Sequence, residues 1–370
     1  MACIPTIPRI VKRFSSSITM KPTPSKAHHH QPLPSSLFPH GYILTGIHSG
    51  IKKSNALDLA VILSTSPYPT SAAGCFTRNA FKAAPVLVSA EVLENGLGRA
   101  KALVVNSGCA NAVTGKKGLE DAWTMVRETD ALLGSATGGR GGEHQTLVMS
   151  TGVIGQNLPI AKIVDGIRSQ ADKTQNSLGS GFDAWERAAQ AFMTTDTFPK
   201  LRARTFVIGG REYRMAGMDK GAGMIHPDMA PFSKGLHATL LGCILTDAAV
   251  SPRSLQSALT YAVERSFNSI SIDGEMSTND TIIVMANGAA AASHDSAKTV
   301  EEIDEESDKE SYEIFKEELT AFAVDLAKLV VRDGEGATKF VTVAVDVSIR
   351  IFWRRHSNRY AGRIYLLRCA

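Results

Sequence analysis

The chain has 370 residues, 44% hydrophobic and 21% charged, which is an ordinary globular composition with room for one large domain or two small ones. No run of the sequence approaches the roughly 20 apolar residues that a membrane-spanning helix needs. The formal net charge of +4 is modest and arises at the two ends, so neither a nucleic acid nor a membrane is the expected partner.

Residues 1–57 hold Arg9, Lys12, Arg13, Lys21, Lys26, Lys52 and Lys53 and no acidic residue before Asp58. The first part is also rich in Ser, Thr and Pro, with Phe14 and Ile18 among the cations. That is the composition of a mitochondrial transit peptide, so residues 1–35 are expected to be a targeting segment and linker, with the mature protein in the matrix. A secretory h-region is missing, and His28-His29-His30 reads as part of the linker.

Lys101–Gly108 reads as a buried strand ending in a turn, and Gly118–Leu133 as a helix with Trp123, Val126 and Leu133 among its apolar positions. The glycine-rich stretch Gly134–Gly142 lacks the Gly-Lys-Ser/Thr ending of a phosphate loop and reads as a connector. Leu147–Met149 is predicted to be a short strand, Ile160–Ala171 and Asp183–Met193 helices. Thr205–Ile208 and Glu212–Met215 are a predicted hairpin turning at Gly209-Gly210. Met218–Met229 reads as a glycine-hinged loop that leads, after Thr239, into an apolar strand ending near Leu245. Ser251-Pro252 supplies an N-cap and a first-turn proline for a helix with Leu255, Ala258, Leu259 and Ala262 on one face. Thr281–Ala286 is predicted to be a buried strand, and Glu301–Glu310 a solvated acidic insertion. Tyr312–Leu329 is a predicted amphipathic helix and Phe340–Val345 a last strand. Strands and helices alternate irregularly around a hairpin. An α/β sandwich of mixed β-sheets flanked by helices is expected, rather than a doubly wound parallel sheet. In the final stretch, Val347–Ala370, six arginines occur without an acid, and neither strand alternation nor a helical stripe is visible.

The five cysteines form no CxxC pair. Cys75, Cys109 and Cys243 sit among small or apolar residues, as buried free thiols do. Asp273, Glu275 and Asp280 place three carboxyls within eight residues, but on a loop entering a strand, where Asn279-Asp280 capping a turn is the plainer reading and no metal is expected. His226 and His237 bracket the loop before Thr239, where a hydrogen-bonded loop histidine is the plainer reading than a base.

Thr239 has two readings. It is a β-branched strand residue, or it is a nucleophile released by scission of the Ala238–Thr239 bond. An N-terminal threonine brings its own base, because its α-amine titrates near 7.7–8.0. The small Ala238 leaves room for the hydroxyl to attack the preceding carbonyl, and Leu240-Leu241-Gly242 would hold the new terminus.

Several separated segments decide between these readings by resemblance. They are Thr77-Arg78-Asn79-Ala80-Phe81-Lys82-Ala83-Ala84-Pro85-Val86, Val105-Asn106-Ser107-Gly108-Cys109-Ala110-Asn111-Ala112, Ser150-Thr151-Gly152-Val153-Ile154-Gly155 and Met193-Thr194-Thr195-Asp196-Thr197. The loop around Lys220, Ser271–Asp280 and Arg332–Lys339 complete the set. In this order they resemble the ornithine acetyltransferase (glutamate N-acetyltransferase) family of arginine biosynthesis over residues 36–346, and Ala230–His237 resembles the insertion of its fungal form. The resemblance implies self-cleavage at Ala238–Thr239 into an α chain (36–238) and a β chain (239–346), paired in a heterotetramer. It implies acetyl transfer from N-acetylornithine to glutamate through an acetyl-Thr239 ester, with acetyl-CoA as a second donor and no metal or prosthetic group. Thr151 and Gly152 match the oxyanion hole. Lys220, the Thr194–Thr195 pair and Glu335 match substrate contacts, although each also has a plain reading: solvated loop lysine, helix termination, turn glutamate.

Family members continue for roughly a hundred residues beyond the Gly-Ala-Thr-Lys-Phe-Val-Thr segment. Residues 347–370 are therefore expected to be an aberrant arginine-rich tail, and the β chain to lack part of its sheet and of the substrate site. Two alternatives follow: a related self-processing aminopeptidase or amidase that hands the acyl group to water, and a catalytically dead remnant.

Overall fold

The computed structural model of the chain describes residues 25–134, 144–172, 174, 176–231, 240–275, 277–291, 300–346 and 363–369. Its elements run β1 (Tyr42–Ile47), β2 (Leu59–Ser64), β3 (Ser71–Thr77), α1 (Ala84–Asn95), β4 (Ala102–Cys109), α2 (Gly115–Asp130), β5 (Thr146–Val153), α3 (Ile160–Ser169) and α4 (Phe182–Phe192). Then come β6 (Lys200–Ile208), β7 (Arg211–Lys220), β8 (Met229–Ala230), β9 (Leu241–Thr246), α5 (Pro252–Arg265), β10 (Ile270–Ser271), β11 (Thr281–Ala286), α6 (Lys309–Arg332), β12 (Phe340–Asp346) and β13 (Arg363–Cys369).

The strands form a four-stranded sheet β1-β2-β4-β5, a six-stranded sheet β6-β7-β9-β11-β3-β8 and a three-stranded sheet β10-β13-β12. The larger two are mixed. The pairs β4/β5 and β9/β11 are parallel and the remaining pairs in those sheets antiparallel. This is the expected α/β sandwich of mixed sheets.

Strand alternation builds two cores. On one face of the six-stranded sheet, Ala216, Met218, Leu241, Cys243, Leu245, Ile283 and Met285 share a core with the four-stranded sheet, and α4 contributes Trp185 and Phe192 to it. On the other face, Tyr213, Met215, Ile244, Ile282 and Val284 pack with Leu255 and Leu259 of α5 and Phe315, Phe322 and Leu326 of α6. A fully buried Leu or Phe of this kind contributes about 1.5–3 kcal/mol. Tyr42 ties the sheets together, its hydroxyl lying 3.3 Å from the Thr246 carbonyl and 3.0 Å from that of Met285. Cys75, Cys109 and Cys243 are buried free thiols. No helix among the described residues is long and apolar enough to cross a membrane.

Element by element the expectations hold in position and differ in extent. The hairpin turns at Gly209-Gly210 with Ile208 opposite Arg211, but its strands run to Lys200 and Lys220, so Met218–Lys220 is strand rather than loop. Ser251 caps α5 by accepting the Ser254 N–H. The acidic insertion is tied down: Glu302 takes both arms of the Arg99 guanidinium, Asp304 accepts from Ser251 and Ser254, and Asp308 caps α6. β13 corrects the patternless reading of the last residues, pairing antiparallel with β12 from Phe340↔Cys369 to Asp346↔Arg363. Within it, Ile364-Tyr365-Leu366-Leu367 is a short β-favouring run, and the open ladder of β12 supplies its partner. The histidine linker packs on the body, with His30 Nε2 2.7 Å from Glu186. Residues 1–24, 135–143, 232–239 and 347–362 lie outside the described residues, and with them most of the targeting segment, the glycine-rich connector, His237, Ala238 and Thr239.

Candidate functional site

Where the C-terminal ends of β4, β5 and β7 meet, the strands open into a cavity of about 810 Å³. Its wall contains Thr151, Gly152, Thr194, Thr195, Lys220 and Glu335, six of the eight site residues expected from the sequence. The other two, Ala238 and Thr239, lie outside the described residues, and the chain resumes at Leu240, at the head of β9.

Thr151 and Gly152 close β5 against a bulge in β4 at Gly108/Cys109. Gly152 has φ +127°, and a Cβ there would stand 2.3 Å from the Gly108 carbonyl carbon, so only glycine fits. Side-chain amides hold the bulge. Asn106 donates to the Cys109 carbonyl at 2.8 Å and accepts from Ser150 at 2.6 Å, while Asn279 donates to the carbonyls of Ala110 and Ser150 at 2.6 and 2.8 Å. The arrangement fixes Thr151 and Gly152 at the cavity wall.

Lys220 is the last residue of β7 and only 4% exposed, which removes the solvated-lysine reading. Its Nζ lies 3.4 Å from Thr151 Oγ1. Burial pushes its pKa down, against the pull of Asp196, Asp280 and Glu335. Glu335 follows α6. Its amide donates to the Ala222 carbonyl at 2.7 Å, and its carboxyl lies where a Cβ on Gly223 would be 2.8 Å away, so that glycine lets the carboxylate rest on the loop.

A buried ion cluster under the cavity joins the three segments that carry these groups. Lys200 Nζ reaches Asp196 at 2.5 Å and Asp333 at 2.7 Å, and all three side chains are fully buried. Asp196 also accepts the amides of Thr194 (2.9 Å) and Gly221 (2.7 Å), and Asp333 accepts the amide (2.9 Å) and hydroxyl (2.5 Å) of Thr197. One ammonium thus sets Thr194–Thr195, the end of β7 and the turn before Glu335 relative to each other. Burial would raise the Asp196 carboxyl, but the Lys200 and Lys220 ammoniums outweigh it and hold it well below the usual range. Burial would lower Lys200, and Asp196 with Asp333 raise it instead. Thr195 is exposed to the cavity and Thr194 half-buried.

The sequence quoted Asp196 and Asp333 without a role and passed over Lys200 and Lys52, which also lines the cavity. The spacing of Asp196 and Lys200, four residues apart across a helix-to-strand junction, was the available signal. Asp273 accepts the amides of Met224, Ile225 and Glu275. No group of three or more His, Cys, Asp or Glu among the described residues could hold a metal ion. His226 Nδ1 lies 3.1 Å from Ser271 Oγ, away from the cavity wall.

The ArgJ family model matches residues 43–350. A mitochondrial arginine biosynthesis bifunctional protein ArgJ of Postia placenta is 70% identical over 361 residues, which is 97% of this chain and 76% of that protein. The protein of the same name from Coprinopsis cinerea is 72% identical over 346 residues, 91% of this chain and 71% of that one. Among solved structures, an ornithine acetyltransferase complexed with ornithine from Mycobacterium tuberculosis is 35% identical over 54% of this chain and 98% of that chain, with a TM-score of 0.44.

Proposed function

The chain belongs to the ArgJ family, and from that membership we propose how its cavity performs acetyl transfer. It is an acyltransferase of arginine biosynthesis that moves an acetyl group from N-acetylornithine to glutamate, and its relatives are mitochondrial proteins. We place it in the matrix and assign Thr239 as the nucleophile. The observation that supports this assignment is that Thr151, Gly152, Lys220 and Glu335 line one cavity while β9, the first strand after Thr239, starts in register with Lys220. Leu241 pairs with Lys220, which lines the cavity, and the Leu240 carbonyl accepts the Thr281 amide, so β9 begins beside the strand end that carries Lys220.

The first step is scission. Thr239 Oγ attacks the Ala238 carbonyl carbon, the amide becomes an ester, and water opens that ester. An Ala238 carboxylate and a free Thr239 amine remain. In each turnover the amine takes the Oγ proton while Oγ adds to the acetyl carbonyl of N-acetylornithine. The oxyanion rests on Thr151 and the Gly152 amide, the C–N bond breaks, and the proton passes to the leaving nitrogen of ornithine. Glutamate then attacks the acetyl-Thr239 ester by the reverse sequence. Lys220 holds the α-carboxylate and Glu335 the side-chain ammonium of ornithine, with Thr194–Thr195 beside them. Acetyl-CoA acylates Thr239 as a second donor, and no step calls for a metal or prosthetic group. β9 and β11, from after the cut, lie between β7 and β3, from before it, so the α and β chains stay paired; two such pairs would form a heterotetramer.

Isotope exchange tests the reading. Incubated with N-acetylornithine and labelled ornithine, the protein is expected to return label in N-acetylornithine faster than it releases acetate. Release of acetate without exchange would identify a hydrolase instead.

A further inference from the structure

We propose that Lys52 is the specificity residue that accepts the side-chain carboxylate of the incoming glutamate. The proposal rests on the acetyl-transfer reading and adds a role which that reading leaves empty. One cavity must hold two amino acids in turn. They share an α-carboxylate, but their side chains end in opposite charges, an ammonium on ornithine and a carboxylate on glutamate. An end lined by Glu335 alone would attract the first and repel the second. Among the described residues that line the cavity there are two cations, Lys220 and Lys52. Lys220, buried and fixed at the end of β7, serves the α-carboxylate common to both. Lys52 is the cation left for the group that differs.

The chain around Lys52 is built to hold it. Four consecutive amides, those of Ser49, Gly50, Ile51 and Lys52, donate to the one carboxylate of Asp58 at 2.6, 3.1, 2.8 and 3.0 Å, and the Ser49 hydroxyl adds a fifth bond at 2.9 Å. Asp58 is fully buried at the start of β2 and is itself pinned to β1 and β4, its amide donating to the Ile47 carbonyl and its carbonyl accepting the Ser107 amide. These bonds tie the loop to the base of β2. The Lys52 stem crosses Gly108 at the β4 bulge, with Cγ 3.3 Å from where a Cβ would stand, so the missing side chain of Gly108 opens its path. Nζ donates to the Leu57 carbonyl at 2.7 Å, which occupies one of three donors and leaves two for a ligand. Burial lowers its pKa, and Asp58 and Asp196 oppose that shift. Lys52 was counted in the sequence only among the basic residues that precede Asp58.

The test compares glutamate with glutamine, which has the same shape but no side-chain charge, as acceptors in acetyl transfer. The wild-type chain is expected to prefer glutamate in kcat/KM by about 10- to 100-fold, the value of one hydrogen-bonded charge contact. Lys52→Gln is expected to erase that preference, and Lys52→Arg to keep most of it. Because the ratio is measured within one sample, a partly folded variant does not distort it. A wild-type protein that takes glutamine as readily as glutamate, or a Lys52→Gln protein that keeps the wild-type ratio, would overturn the inference. Ornithine exchange run alongside separates the two layers. A wild-type chain that exchanges no ornithine overturns the acetyl-transfer reading and this inference with it, whereas normal exchange without a glutamate preference overturns this inference alone.

Discussion

Asp219 and Lys200 face each other across the β6–β7 hairpin, yet burial acts on them in opposite ways. Lys200 has two carboxylates to pair with. Neither carboxyl oxygen of the fully buried Asp219 has a hydrogen-bond partner among the described residues. Burial pushes Asp219 well above the usual carboxylate range, and Asp196 and Asp333 add to the rise, against Lys200 and Arg202. Its folded form therefore holds a proton that the unfolded chain loses near pH 3.9. The contribution is fully present below that pH and is lost as pH rises towards the folded value. Asp219→Asn should gain stability relative to wild type as pH climbs from about 4 towards neutrality, by up to about 1.4 kcal/mol per pH unit. Urea midpoints taken across that range would read it, and parallel profiles for the two proteins would rule it out. At this scale the sequence was partly legible. Thr151, Gly152, Thr194, Thr195, Lys220 and Glu335 were all picked out by motif, and the cavity gathers them. Lys200, Asp219 and Lys52 were not, because a buried charge in a strand or after a basic leader looks, in one dimension, like a solvated one.

The elements that hold the site are joined by charge as well as by packing. The loop after α4, the end of β7 and the end of α6 are tied together at the base of the cavity by Asp196, Lys200 and Asp333. Asp196 is depressed, so its contribution stands above the unfolded carboxylate pKa and fades only in acid. Lys200 is raised, so its contribution stands below the unfolded lysine pKa and fades only in alkali. The cluster is therefore intact throughout the neutral range. Lys200→Met, similar in length but uncharged, would leave two buried carboxylates without their cation and should cost about 3–5 kcal/mol. A loss under 1 kcal/mol in denaturant unfolding would show that the cluster does not bind the three elements. Helices and hairpin were legible here because their periodicity survives in sequence, as in α5 with its Ser251 cap and α6 with its apolar stripe. Strand lengths were not. β5 continues through Ser150-Thr151-Gly152 because the β4 bulge and the Asn106 and Asn279 side chains extend its pairing, and no local pattern announces that. β2 and β3 went unassigned because continuous burial removes the alternation that marks a strand.

Across the whole molecule, the proposed cut falls between β8 and β9, inside a sheet whose order is β6-β7-β9-β11-β3-β8. Strands from the two sides of Thr239 pair at β7/β9 and β11/β3, so scission would release a terminus without releasing a chain. The family, the sandwich and the cavity were readable from the sequence because the motifs lie at strand ends that the topology brings together. The course of the last residues was not, since β13 takes its place from the ladder of β12 rather than from a pattern of its own.

The intact mass of the purified protein after exposure to N-acetylornithine tests the central claim most directly. Two polypeptides are expected, divided before Thr239, with one added acetyl group on the fragment that begins there; Thr239→Ala should stay as one unacetylated chain. An undivided wild-type chain that takes up no acetyl group, or a Thr239→Ala protein that still transfers it, would contradict the account.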